Sequence, residues 1–268
     1  MVAQKIPIAL TIAGSDPGGG AGIQADLKTF QAFGVFGTTV IVALTAQNTL
    51  GVSGVHAVPV DFVRAQLEAL AADLPPRALK TGMLATKALV EAVAGFIARQ
   101  QWRAYVLDPV MVATSGDRLL DAEAEEAVRR LLLPLAAIVT PNLDEAELLV
   151  GHPVRDVAAM ERAGSELLAL GARAALLKGG HLIGDTLVDI LVTPNATVRY
   201  ESPRLHTRST HGTGCTLSAA ITAGLAHGRS LEQAVPAALD FVARAIAAAP
   251  GLGSGHGPLN HFVPASGA

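Results

Sequence analysis

Short apolar runs, each followed by a longer stretch of helical period, recur along most of this chain and limit its fold more than any other feature. Residues 6–13 (IPIALTIA) read as a buried strand, and 38–44 (TTVIVAL) as a β-branched one. Similar runs stand at 78–81, 104–107, 136–140 and 174–177, each leading into a helical segment. Ile23, Leu27 and Phe30 share one helical face, and Leu231, Val235, Ala238, Val242 and Ile246 form another stripe. Asp61 is expected to cap a helix that carries Phe62, Leu67 and Leu70 on apolar positions. Runs 187–192 and 197–200 follow one another without a helix, which reads as a hairpin at a sheet edge. The expectation is an α/β protein, one domain over 1–268, whose mostly parallel sheet has helices on both faces.

A sheet of this kind takes its ligands beyond the carboxyl ends of its strands. Polar and glycine-rich stretches stand at those places: GSDPGGGAG after the first strand, AQNT after the second, then TGM, DPVM, PNLDE and KGGH. Half of the residues are hydrophobic and 16% are charged, enough for a large core and too few charges for long disordered tails. The net charge of −3 offers no basic field for nucleic acid and no patch for an anionic membrane. One cysteine forms no internal disulfide. The run 6–13 resembles the apolar part of a signal peptide, but it is short, contains Pro7 and passes directly into the glycine loop. No run approaches the ~18 apolar residues that span a bilayer, so a cytoplasmic protein is expected.

The stretch THGTGCTLSAA, 210–220, holds that one cysteine, Cys215, behind two glycines and at the start of a small-residue helix. Helix starts gather free amides and a positive dipole end that hold anions, and the same field lowers a cysteine's pKa toward neutrality. The segment therefore reads either as an anion hole with a base or as a small cysteine packing a helix end. Lys178, before Gly179 and Gly180, is either a phosphate ligand or a surface lysine. Asn142 and Glu145, three apart at a helix start, suit either Mg²⁺ held through water or simple capping. Asp108, before Pro109, is either a solvated turn residue or a second acid near the metal. Gly20, Gly22 and Ala25 match G-x-G-x-x-A, a dinucleotide loop, a plain glycine turn, or backbone closing over a small ligand. An acid for the ribose is missing between Leu27 and Val60. A P-loop is excluded because none of the lysines follows a glycine, and neither G-x-S-x-G nor H-E-x-x-H occurs.

Taken in order, TIAGSDPGGGAGIQADLKTF, ALTAQNTLGV, KTGML, DPVMVATSGD, TPNLDEAELL, KGGH and THGTGCTLSAA resemble the hydroxymethylpyrimidine/phosphomethylpyrimidine kinases of thiamine synthesis, in the ribokinase-like superfamily. The resemblance covers essentially the whole chain and implies a three-layer αβα fold, ATP with Mg²⁺, and two successive phosphoryl transfers to a pyrimidine. It leaves open a monovalent cation and implies a homodimer. By the same likeness Cys215 stands at the base position, with Gly212, Thr213 and Gly214 around the transferring phosphoryl. Lys178 neutralises the ATP phosphates, and Asn142, Thr210 and Thr213 line the nucleotide. Glu145 and Asp108 organise Mg²⁺ through water. Gln47 and Asp26 lie near the pyrimidine's amino group and ring nitrogen, with Gly14, Met83 and Val110 lining the pocket. The segment GSGHGPLNHF would lie near the nucleotide. Thr114 departs from the pattern, standing where many relatives have lysine. Pyridoxine or pyridoxal kinase activity is the alternative within this likeness, and a non-catalytic pyrimidine-binding regulatory protein is the alternative outside it.

Overall fold

The computed structural model describes residues 6–111, 122–182 and 184–265; Thr114 lies outside them. Among the described residues nine strands form one sheet in the order β3-β2-β1-β4-β5-β6-β7-β8-β9. The strands are β1 (Ile8–Gly14), β2 (Phe36–Asn48), β3 (Gly51–Ala57), β4 (Ala78–Thr81), β5 (Tyr105–Leu107), β6 (Ile138–Val139), β7 (Ala175–Leu177), β8 (Thr186–Val192) and β9 (Thr197–Pro203). From β2 through β7 neighbouring strands run parallel, while β3 at one edge and the β8–β9 hairpin at the other pair antiparallel.

The central strands are mostly apolar, interrupted by Thr11, Lys80 and Thr81, because both their faces are covered. Successive residues alternate between two cores: Tyr105 and Leu107 join one, Val106 the other, and Leu176 and Leu177 divide in the same way. The first core receives helices α2 (Val60–Asp73), α3 (Lys87–Gln100), α4 (Ala122–Ala127), α5 (Leu143–Val150) and α6 (Val157–Ala169). The second receives α1 (Gly22–Ala32), α7 (Thr213–Ala226) and α8 (Leu231–Ala247). This is the three-layer αβα arrangement. Its handedness follows from the crossover rule: β1 to β2 travels one way with α1 on one face. The steps from β4 to β7 travel the other way, so their helices must lie on the opposite face.

Two local expectations are corrected. The helix α2 is capped at Pro59, with Asp61 inside its first turn, and Phe62 on its outer side is 63% exposed. The stretch AQNT is not a loop: β2 continues through Asn48 and turns back as β3, a strand of mostly exposed residues.

Candidate active site

The strand order reverses between β1 and β4, and crevices open at such switch points beyond the carboxyl ends. Gly14 ends β1 there, Met83 follows β4, Asp108 follows β5, Asn142 follows β6 and Lys178 follows β7. Helix α7 packs across β1, β4 and β5, bringing its N-terminus over the same end. Ten of its fourteen residues are buried, which the small-residue run Leu217–Ala226 permits.

Beneath the crevice lies a chain of buried charges. Lys80, fully buried inside β4, places Nζ 3.0 Å from Asp26 Oδ1 and 3.7 Å from Asp108 Oδ2. Thr11 donates its hydroxyl to Asp26 Oδ2 at 2.6 Å, and Ser218 donates to Asp108 Oδ2 at 3.0 Å. Burial lowers the Lys80 pKa, but Asp26 beside it, with smaller contributions from Cys215 and Asp108, raises it above the ordinary lysine value. Asp26 has both oxygens engaged and none of its surface exposed. Its carboxylate is thus engaged within the protein and presents no exposed surface in this structure.

Asp108 is buried, which removes the solvated-turn reading. Its Oδ1 lies 3.5 Å from Lys178 Nζ and otherwise lacks a hydrogen-bond partner among the described residues. Lys178, with 15% of its side chain exposed, is no surface lysine; it also stands 3.8 Å from Glu145 Oε2. Burial would lower the Lys178 pKa, and the two carboxylates raise it instead. Glu145 also completes a capping box: it accepts from the Asn142 amide at 2.8 Å, while Asn142 Oδ1 accepts from the Glu145 amide at 2.9 Å. Capping and a place in the crevice are thus the same arrangement. Burial and Asp108 push the Glu145 carboxyl up to about 7 against the pull of Lys178.

The loop before α7 turns on Gly212, whose φ of 82° is left-handed. A Cβ there would stand 1.8 Å from the Gly20 carbonyl oxygen, so the loop seats on the first glycine loop only without a side chain. At Gly214 an added Cβ would come within 3.2 Å of Lys178 Nζ. Backbone therefore approaches the lysine closely, as an anion between them requires. Thr213 directs its amide (3.2 Å) and hydroxyl (2.7 Å) back to the Thr210 carbonyl, so neither points into the crevice.

Of the two readings of Cys215, the lowered thiol is the one the structure opposes. It keeps some exposed surface, but the protein packed round its sulfur pushes the thiol up to about 12. Asp26 and Asp108 add to the rise, and Lys80 and the Gly22 amide only partly offset it. Desolvation outweighs the helix-start field here. Cys215 is accordingly expected to react with iodoacetamide about a hundredfold more slowly than free cysteine near neutral pH. Its rate should climb with pH beyond the range where a free thiol has levelled off; a plateau below about pH 8 would indicate a stabilised thiolate.

Gln47, on β2, lies 3.2 Å from the His211 ring and 3.3 Å from the Thr45 hydroxyl. It borders a cleft of about 660 Å³ beside the β2–β3 hairpin, lined also by Pro17, Asn48, Leu50 and Val52. Gly14 and the largely buried Met83 meet at the carboxyl ends of β1 and β4, where a Cβ on Gly14 would lie 2.8 Å from Met83 Cε. Val110, partly exposed, stands two residues after Asp108 in the segment beyond β5. The G-x-G-x-x-A loop is occupied by its own acid: the Asp16 carboxylate accepts from the amides of Gly18 (2.8 Å), Gly20 (3.0 Å) and Ala21 (2.8 Å). Those amides are not offered to a dinucleotide. The segment GSGHGPLNHF reaches the hairpin, with the His256 amide donating to the Thr49 carbonyl at 2.8 Å. It also reaches α7, where His261 Nε2 lies 2.9 Å from Thr216 Oγ1.

Lys178, Asp108, Glu145, Asn142 and the 212–215 turn thus converge, with Gln47 on a neighbouring wall. The residues missed were Lys80, Asp16, His211 and Ser218. Lys80 carried a signal, a charged residue inside an apolar strand run, and Asp16 carried a weaker one, an acid amid glycines.

Residues 16–260 match the profile of a protein family described as phosphomethylpyrimidine kinase. The chain is 52% identical over 258 residues to a hydroxymethylpyrimidine/phosphomethylpyrimidine kinase of Rhizobium meliloti, covering 95% of this chain and 97% of that one. It is 49% identical over 256 residues to a thiamine biosynthesis bifunctional protein of Geobacter sulfurreducens; that match takes in 96% of this chain but spans only 52% of the longer protein. Among solved structures, an ADP complex of Bacillus subtilis pyridoxal kinase superposes with a TM-score of 0.90 at 40% identity, covering 96% of this chain and 98% of that one.

Proposed function

The chain belongs to the phosphomethylpyrimidine kinase family, and from that premise we propose that it uses ATP to phosphorylate 4-amino-5-hydroxymethyl-2-methylpyrimidine and then the resulting monophosphate, in thiamine biosynthesis. The observation that carries this reading is the meeting of Lys178, beyond the carboxyl end of β7, with the close backbone of Gly214. Phosphoryl transfer passes through a loose transition state, so positioning and charge neutralisation do most of the work. Lys178 supplies a positive charge held in place by two carboxylates, and the α7 N-terminus supplies amides and a dipole.

Mg²⁺ fits the residues present. Asp108 Oδ1 is a buried oxygen lacking a hydrogen-bond partner among the described residues, and Glu145 stands beside Lys178. Among the described residues no three His, Cys, Asp or Glu side chains gather to hold a metal directly. An ion that keeps most of its waters and is bound through one or two carboxylates and the phosphates needs no such group. When bound, Mg²⁺ would neutralise phosphate charge; a monovalent cation is an open addition to it.

Cys215 faces the acceptor as a protonated thiol in this reading. Little proton removal is needed early in a loose transfer, and the second acceptor is already an anionic phosphate. Cys215→Ala is expected to lower kcat for the first transfer about tenfold, below the usual effect of a poised base. The KM for ATP should hardly change, and the second transfer should suffer less. Single-turnover measurement on each acceptor checks this, and an unchanged first transfer would leave the residue no part in the chemistry.

The overall test counts phosphates on the hydroxymethylpyrimidine product; absence of both products would overturn the reading. Similarity to pyridoxal kinase structures supports a second reading, activity on vitamin B6. Side-by-side turnover separates the two, and a large preference for pyridoxine would reverse their order. Calorimetry that finds pyrimidine bound without ATP turnover would favour a non-catalytic regulatory protein. The working form proposed is a cytoplasmic homodimer. Among the described residues no helix is long and apolar enough to cross a membrane, and Leu44 and Val55 give the β2–β3 edge exposed apolar surface.

A further inference from the structure

The side-chain amide of Gln47 has two ends that only their partners can tell apart. As placed, Gln47 Nε2 lies 3.2 Å from His211 Nε2 and Oε1 lies 3.3 Å from Thr45 Oγ1, but the partners decide whether the amide is better turned end for end. His211 Nε2 also lies 2.9 Å from Asp16 Oδ2. Asp16 is a carboxylate that already accepts three backbone amides. An ionised carboxylate only accepts, so the hydrogen between Asp16 and His211 must sit on His211 Nε2. That nitrogen has then no lone pair to offer, whichever charge the ring carries. The Gln47 atom facing it must be the oxygen.

The other end gives an independent constraint. Thr45 donates its single hydroxyl hydrogen to the Ser15 carbonyl at 2.8 Å. Its oxygen can therefore only accept from Gln47, and the atom facing it must be the amide nitrogen. Both ends demand the same orientation.

We propose that Asp16 and His211, together with Thr45, hold the Gln47 amide in one orientation and thereby make the acceptor site selective for a ring edge that presents a donor and an acceptor in one fixed order. This rests on the pyrimidine-kinase reading and deepens it. With the amide fixed, one N–H and one lone pair of Gln47 remain for a ligand, in a set order. An aminopyrimidine carries an amino donor next to a ring-nitrogen acceptor, and neither can change role. A hydroxylated pyridine presents hydroxyls, which rotate to suit either order. Locking the amide therefore favours the first kind of ring over the second. His211 and Asp16 are positioning residues: they act through Gln47, and His211 ties the pocket wall to the first glycine loop and, through its amide to the Gly257 carbonyl at 3.1 Å, to the segment beyond α8.

The test compares full-length wild-type protein with His211→Phe, Thr45→Val and Thr45→Ser, using hydroxymethylpyrimidine and pyridoxine as acceptors. His211→Phe and Thr45→Val should each raise KM for the aminopyrimidine about tenfold, the weight of one lost hydrogen bond. KM for ATP should stay within about twofold, and the preference for aminopyrimidine over pyridoxine should fall by a similar factor of about ten. Thr45→Ser keeps the hydroxyl and should behave like wild type. The two disruptive variants lie on different elements, so misfolding of one leaves the other to decide. An unchanged preference in the folded variants, or a loss confined to kcat and ATP affinity, would overturn the proposal. A wild-type protein inactive on hydroxymethylpyrimidine would instead overturn the kinase reading beneath it.

Discussion

Lys178→Met is expected to lower kcat for phosphoryl transfer by about 10²–10³, the usual cost of removing one preorganised stabiliser of developing charge. The lysine is held by opposite charge on two sides, Asp108 at 3.5 Å and Glu145 at 3.8 Å, so it needs little reorganisation when phosphate arrives. Its removal leaves those carboxylates facing incoming phosphates with no cation between them, and KM for ATP should rise as well. Arginine should not rescue the variant. The backbone at Gly214 approaches so closely that a single added carbon would stand 3.2 Å from Nζ, and a guanidinium is broader than an ammonium. Steady-state kinetics of the methionine and arginine variants, beside their melting curves, check this. Near-normal kcat in Lys178→Met would remove the lysine from the chemistry.

The second large effect falls on the fold. Lys80→Met should cost about 3–5 kcal/mol, the range for breaking a buried ion pair from one side. For a chain of this size that corresponds to a melting temperature lower by roughly 10 °C. Asp26 would be left without its cation in a fully buried place, keeping only the Thr11 hydroxyl. Such a carboxyl binds its proton more tightly folded than unfolded. A group with a raised folded pKa contributes stability below its unfolded pKa and loses it as pH rises through the folded value. The deficit of Lys80→Met should therefore be smaller near pH 5 than near pH 8. Adding Asp26→Leu should restore part of the loss at pH 8. Denaturant unfolding of the three proteins at both pH values measures this, and equal deficits at the two pH values would contradict it.

The parallel core of the sheet was legible because strands buried on both faces are mostly apolar. The run 78–81 coincides with β4, and the β8–β9 hairpin follows from two strand runs without a helix between them. The strand β3 was not legible. GVSGVHA has two glycines and no apolar continuity, since it lies at an edge and buries little. Gln47 was consequently read as a loop residue, although its role as a pocket residue did not depend on that. The lysine and acids of the crevice were legible from their position after strands. For Cys215 the lowered-thiol alternative fails for a physical reason: a helix-start field can be inferred from local sequence, whereas the burial and carboxylates that overcome it come from distant parts of the chain, Asp26 on α1 and Asp108 in the loop after β5. The Asp16–His211 pair was invisible for a similar reason, since its members stand 195 residues apart.

That separation has a consequence for the order in which the protein becomes functional during synthesis. The sheet through β7 is laid down by residue 177, and its hydrophobic cores can begin to close as it emerges. The acceptor wall cannot be finished then. Gln47 waits for His211, and the β2–β3 turn waits for the Thr49 contacts with Gly255, 206 residues away, and with His256. A ribosome adding about 5–20 residues per second would expose the hairpin and Lys178 several seconds before their late partners appear. A nascent chain stalled before residue 210 would thus carry most of a sheet and no competent site.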